Sequence, residues 1–139
     1  MHVIRMQLTA DPSKLRQQLW RTHTAFERLL RRLARCQPMV QGSFYLQKRR
    51  CGNPNCRCAR GQLHEAWVIT RKSGAKGWTY MVPVEDRARL RQLTQEYRQY
   101  IRGRAILTKR HAQILALVDE LAQQRMEVWP PTAKPAEGP

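Results

Sequence analysis

Three of the four cysteines in this 139-residue chain fall within eight positions, at Cys51, Cys56 and Cys58, and His64 follows six residues later. No other feature limits the fold so strongly. Thiols packed this closely suit a metal better than structural cross-links, above all in a reducing compartment. Zinc takes four tetrahedral ligands and prefers thiolate and imidazole. Cys51-x4-Cys56-x-Cys58 supplies three of them, and Gly52 and Pro54-Asn55 let the backbone turn tightly enough for the sulfurs to converge. His64, reached across Gly61, is the expected fourth ligand; Cys36 is the rival, although it falls on an apolar seam where a buried free cysteine is ordinary. One Zn²⁺ per chain, in a structural role, is therefore expected at Cys51, Cys56, Cys58 and His64. A three-cysteine site with an open or water position, and a redox-active or unliganded cysteine loop, are the alternatives. No carboxylate lies among or between the candidate ligands, from Cys51 to His64, to serve such a metal as a general base.

The charge points to a partner. Twenty-six Lys and Arg stand against ten Asp and Glu, and arginine outnumbers lysine twenty to six. Residues 1–110 hold 24 basic and 6 acidic side chains, a net +18, whereas the last 29 residues are net −2. Between Arg28 and His64 there are nine basic residues and no acidic one. Self-repulsion on that scale opposes folding, so a polyanion is the expected ligand. Planar, five-donor guanidinium suits phosphate clamping and stacking on bases. The candidate nucleic-acid contacts are Arg28, Arg31, Arg32 and Arg35 in the first basic run; Lys48, Arg49, Arg50, Arg57 and Arg60 around the cysteines; and Arg71, Lys72 and Lys76 beyond them.

Asp11-Pro12 is a good helix start, with Asp as the N-cap and Pro at the first helical position. Leu15, Leu19, Thr22, Phe26, Leu29, Leu33 and Cys36 then form one apolar seam over about 24 residues, up to Pro38. Gly42–Lys48, Trp67–Thr70 and Trp78–Val82 read as strands, and the last two flank the Ser73–Gly77 loop as a hairpin. Aromatics beside arginines could stack bases, but Trp67 and Trp78 are expected to form the core of a very small sheet. After Pro83, Glu85-Asp86 place negative charge at the start of a second helix. Its seam, from Leu90 to Leu121, runs to about Met126, with Gly103 as a kink or break.

The expected fold is α+β: an N-terminal helix, a three-stranded antiparallel sheet carrying a zinc knuckle, and a long C-terminal helix forming an antiparallel hairpin with the first. The segments are a basic helix at 11–37, a knuckle-and-sheet module at 42–83, a long helix at 84–127 and a disordered, proline-rich tail at 128–139. The unequal helices leave Ile114, Val118 and Leu121 uncovered, so a homodimer through the helices is expected. Met1–Ala10 does not read as a signal peptide and no stretch is long enough to span a membrane, which places the chain in the cytoplasm, on the nucleoid if DNA is the ligand.

Gly42-Ser43-x-Tyr45, then Cys51-Gly52-x-Pro54-x-Cys56-x-Cys58, Gly61 and His64, and a hairpin ending Tyr80-x-Val82-Pro83, resemble a family of small uncharacterised bacterial and archaeal proteins. That family carries a domain of unknown function and is often found near transposases. The resemblance covers about residues 42–101. It departs after His64, where the family has Gly-Pro and an aromatic pair and this chain has Glu65-Ala66-Trp67. The resemblance brings a setting, a mobile genetic element with its transposase as a protein partner, but no activity. No nuclease carboxylate cluster, phosphate loop or nucleophile–base pair is visible, so an enzyme is not expected. Two functions remain: an accessory or regulatory factor that binds DNA or RNA, and a coiled-coil adaptor that binds a transposase or another protein without touching nucleic acid.

Overall fold

The computed structural model describes residues 10–131. The N-terminal segment before Ala10, and the tail from Thr132 on, lie outside the described residues. In chain order come helix α1 (Pro12–Leu33), strand β1 (Ser43–Arg49), a 3₁₀ turn (Arg57–Arg60), strands β2 (His64–Ser73) and β3 (Lys76–Met81), a second 3₁₀ turn (Val84–Asp86) and helix α2 (Arg87–Gln123). The α+β fold is the one expected. Two compact units form: Arg35–Arg104 holds the sheet, the cysteines and the first half of α2, and the other joins α1 to the second half of α2. No described helix is long and apolar enough to cross a membrane.

In the helical unit, the Asp11 carboxylate accepts the Ser13 N–H at 2.9 Å and Pro12 occupies the first turn, as the sequence dictates. Leu15 and Leu29 bury one face of α1. The helix stops four residues before Pro38, with Ala34 as its cap. A proline disfavours helical backbone in the residue before it, so Pro38 bars the helix from Gln37 onward but does not itself set the end at Ala34. Cys36 is off the seam: it lies beyond the helix and is exposed, not buried as expected. The second half of α2 runs back antiparallel. The Gln124 side-chain amide donates to the Ala10 carbonyl at 2.7 Å, and the His111 ring lies 6.4 Å from that of Phe26. The expected break at Gly103 does not occur; α2 is helical straight through it.

In the sheet unit the order is β1-β2-β3, antiparallel throughout. The central strand buries Val68, 1% exposed, and the Val82 N–H extends the ladder to the Trp67 carbonyl at 2.8 Å. Strand β2 starts earlier than expected, at His64, because Lys48 and Arg49 continue to pair with Glu65 and His64. The β2–β3 turn is only Gly74-Ala75, tighter than the expected five-residue loop. Gly74 has φ +61° and Ala75 has negative φ, the pattern of a type II′ turn, whose twist matches the flanking strands. The register aligns Ile69 with Tyr80 and Arg71 with Trp78, so Phe44, Leu46, Trp67, Ile69, Arg71, Trp78 and Tyr80 share one face. Trp78 and Tyr80 are 41% and 59% exposed, and the expectation that Trp78 is a core residue fails. Arg91 of α2 lies over Phe44 on β1 and Trp67 on β2, and among the described residues no such contact covers Trp78 or Tyr80 on β3.

Gly42 marks the tightest approach in this unit. A Cβ there would sit 2.9 Å from the Thr70 carbonyl oxygen and 3.1 Å from the Ile69 side chain. Backbone cannot yield as a flexible side chain can, so Gly42→Ala is expected to cost about 1–3 kcal/mol. A thermal melt superimposing on that of the unchanged protein would contradict it.

Candidate metal centre and basic surface

The knuckle is the connection that closes the β1–β2 hairpin. Cys51 lies two residues past the end of β1 and His64 is the first residue of β2, directly opposite Arg49. Between them the chain folds on itself by short-range bonds. The Asn53 side chain accepts the Asn55 N–H at 2.9 Å, and the Cys56 N–H reaches the Asn53 carbonyl at 3.1 Å. The Arg57–Arg60 turn then carries Cys58 inward, and Gly61, with φ +103°, ends it in a left-handed conformation that a β-carbon would strain.

This folding brings the donor atoms of Cys51, Cys56, Cys58 and His64 within 4.8 Å of one another. Cys51 Sγ is 3.4 Å from Cys58 Sγ, and Cys56 Sγ is 3.2 Å from His64 Nε2. A disulfide would bring two sulfurs to about 2.05 Å, so all four cysteines are free thiols. Tetrahedral coordination with metal–sulfur bonds of about 2.3 Å and metal–nitrogen bonds of about 2.0 Å would set donors roughly 3.5–3.8 Å apart, so this set fits a metal ion with small adjustments. Cys58 is 1% exposed, Cys56 and His64 are half-buried, and Cys51 faces solvent. The Cys51 backbone N–H points at Cys58 Sγ at 3.4 Å, a contact that favours a thiolate there. The Asn53 backbone N–H, and then the Cys58 thiol and the His64 ring, pull the Cys51 thiol down to about 6. Cys58 moves the other way: the Cys51 N–H pulls it down, but burial and the neighbouring Cys51 and Cys56 sulfurs outweigh that and raise it. A buried thiol that resists ionisation among other sulfurs needs a cation to hold it as a ligand.

If all four were to ligate one tetrahedral ion, no coordination position would be left open. The nearest carboxylate in sequence, Glu65, pairs with Lys48 at 3.2 Å. Cys36 lies outside the cluster. Cys36→Ser is therefore expected to leave the bound metal per chain unchanged, read by elemental analysis; loss of metal would mean that Cys36 is a ligand.

The nominated basic residues do not all play the same part. Lys48 is paired with Glu65, and Arg31 with Glu27 at 2.6 Å one helical turn back. The Arg31 guanidinium holds the Glu27 carboxyl below the usual carboxylate range. Arg49, Arg50, Arg57 and Arg60 are exposed around the knuckle and form no ion pair among the described residues. Arg71, Lys72 and Lys76 flank the Gly74 turn and are exposed. In the helical unit, Arg28 and Arg32 border a cleft of about 260 Å³ with Ile106 and Arg110. Arg110 Nε is buried in that unit without a hydrogen-bond partner. Arg35 lies in the irregular segment after α1.

Sequence reasoning missed one cluster. The Phe44 and Trp67 rings stack at 5.0 Å and 15°, and the Arg91 guanidinium lies over both, 5.7 and 5.2 Å from their centroids. Arg91, Thr94, Gln95, Arg98 and Arg102 line a groove of about 220 Å³ with those rings. Its signal was present in the spacing: residues 91, 95, 98 and 102 fall on one stripe of a helix. The apolar seam beside it drew the attention instead.

The cluster defines a Cys₃His knuckle in the loop that joins two strands of a three-stranded antiparallel sheet. Residues 22–92 match the model of a domain of unknown function, DUF6788, and the chain belongs to that family. No curated protein and no solved structure matches the chain.

Proposed function

We propose that this is a zinc-stabilised nucleic-acid-binding protein that acts as an accessory or regulatory factor of a mobile genetic element. Zinc is the ion that three thiolates and one imidazole in a closed tetrahedral set select best. The observation that carries the binding role is the set of exposed Arg49, Arg50, Arg57 and Arg60 around the knuckle, none of them in an ion pair among the described residues, while the acid beside them, Glu65, is taken by Lys48. The mobile-element setting rests on the resemblance to proteins found near transposases.

The competing reading is a helical adaptor for a transposase or a second copy of the chain. Ile106, Leu115 and Val118 favour it, since all three are between 44% and 51% exposed on α2. Fluorescence anisotropy with random duplex, single strand and structured RNA, alongside sedimentation equilibrium, separates the two. The proposed function requires micromolar or tighter binding to at least one nucleic acid at moderate salt. Binding to none of them, with a stable dimer in the centrifuge, assigns the protein to the adaptor class.

A further inference from the structure

The aromatic face of the sheet does not fit the rest of the molecule's economy. Residues 66–84 contain Arg71, Lys72 and Lys76 and no acid, yet Tyr80 and Trp78 stand exposed on β3 two residues apart. A strand of an antiparallel sheet turns such residues to one side, and the register puts them on the side that carries Arg71, Ile69, Trp67 and Phe44. Phe44, Ile69 and Tyr80 are aligned across the three strands, so Tyr80 lies two strand spacings, about 10 Å, from Phe44. At Phe44 the face meets the groove, where Arg91 already caps the Phe44–Trp67 stack and Arg98 and Arg102 continue the stripe. Exposed rings at one end, donors without an acid at the other, and a flat surface between them match a ligand with π faces and a phosphate chain.

We propose that this face of the sheet is a stacking platform for single-stranded nucleic acid, with bases on Tyr80 and Trp78 and phosphates on Arg71, Arg98 and Arg102. The inference rests on the nucleic-acid reading above and specifies which form is bound. A duplex keeps its bases stacked on one another and offers these rings nothing; a single strand can splay bases onto them whatever the sequence. The knuckle arginines then hold backbone common to both forms, and the sheet face discriminates between them.

The test uses the full metal-loaded chain, a twelve-nucleotide poly-dT or poly-U strand and a duplex of equal length. Intrinsic fluorescence should be quenched by the single strand and not by the duplex, and the quenching should shrink in Trp78→Phe while that variant still binds. Trp78→Ala and Tyr80→Ala should each lose about 5- to 100-fold in single-strand affinity, with duplex affinity and metal content unchanged. The slope of log affinity against log salt should also be unchanged, since no cation has been removed. Arg98→Gln with Arg102→Gln should instead reduce that slope by about one. Equal binding of both forms with no Trp78-dependent quenching overturns the platform and leaves the proposed function standing. Binding of neither form removes both. If the aromatic changes convert a dimer to a monomer and leave nucleic-acid affinity alone, the face belongs to a second copy of the chain and the platform is wrong.

Discussion

Removing the metal is expected to unfold the sheet unit, the largest effect any single treatment should have. Within residues 35–104 few side chains are fully buried: Cys58, Val68, Val82 and Thr94. Thr94 turns its hydroxyl back onto the Leu90 carbonyl at 2.8 Å. Two valines, a threonine and a thiol cannot support a sheet of this size, since a domain's net stability of about 5–15 kcal/mol is the small remainder after a large entropic cost. Structural zinc supplies an apparent binding energy of about 10–16 kcal/mol in small domains, enough to decide the equilibrium alone. Chelation should therefore abolish exchange protection of the Val68 amide, and Cys58→Ser should do the same even with zinc added. Cys58 is the ligand to change because it is the fully buried member, so its loss cannot be made good by water. A chelated protein that keeps its melting curve and a protected Val68 amide would show that the cysteines are incidental to folding.

The second large effect is on salt dependence. If about six basic side chains engage phosphates, log affinity for a duplex should fall against log salt with a slope near −5, so that raising salt from about 50 to 200 mM weakens binding roughly a thousandfold. Arg49→Ala with Arg50→Ala should lower affinity and reduce the slope by about two, with metal content intact. The control is Lys14→Ala with Arg16→Ala, on an exposed part of α1. Arg87 would be a poor control, since its Nε donates to the Val82 carbonyl at 3.4 Å. Equal, small effects from both pairs would describe a diffuse basic coat in place of a reading head. A slope near zero would remove phosphate contact altogether.

The parts of this architecture legible in the sequence are those set by local chemistry. Asp11-Pro12 opens a helix because one side chain and one ring act within a single turn. Cys51, Cys56, Cys58 and His64 converge because glycine, proline and asparagine allow only tight loops between them. What escaped depended on partners distant in sequence or on which element is missing. Cys36 matched the seam's period, but α1 ends at Leu33, so the period was extended too far. The stripe of Arg91, Gln95, Arg98 and Arg102 is visible in the spacing, but that Arg91 covers Phe44 and Trp67 is not, because charged residues on a helix usually face water. Trp78 reads as core by residue type, but Arg91 of α2 covers the rings of β1 and β2 and not those of β3.

The place of His64 at the first position of β2 ties strand register to metal binding. A slip of a single residue in a hairpin inverts every side chain. Here the same slip would carry the imidazole away from the three sulfurs, so a misaligned hairpin could not complete the donor set. An ion that binds only the native alignment stabilises that alignment alone. The ion would act as a proofreader of register, favouring the one pairing of Arg49 with His64 that assembles the aromatic face.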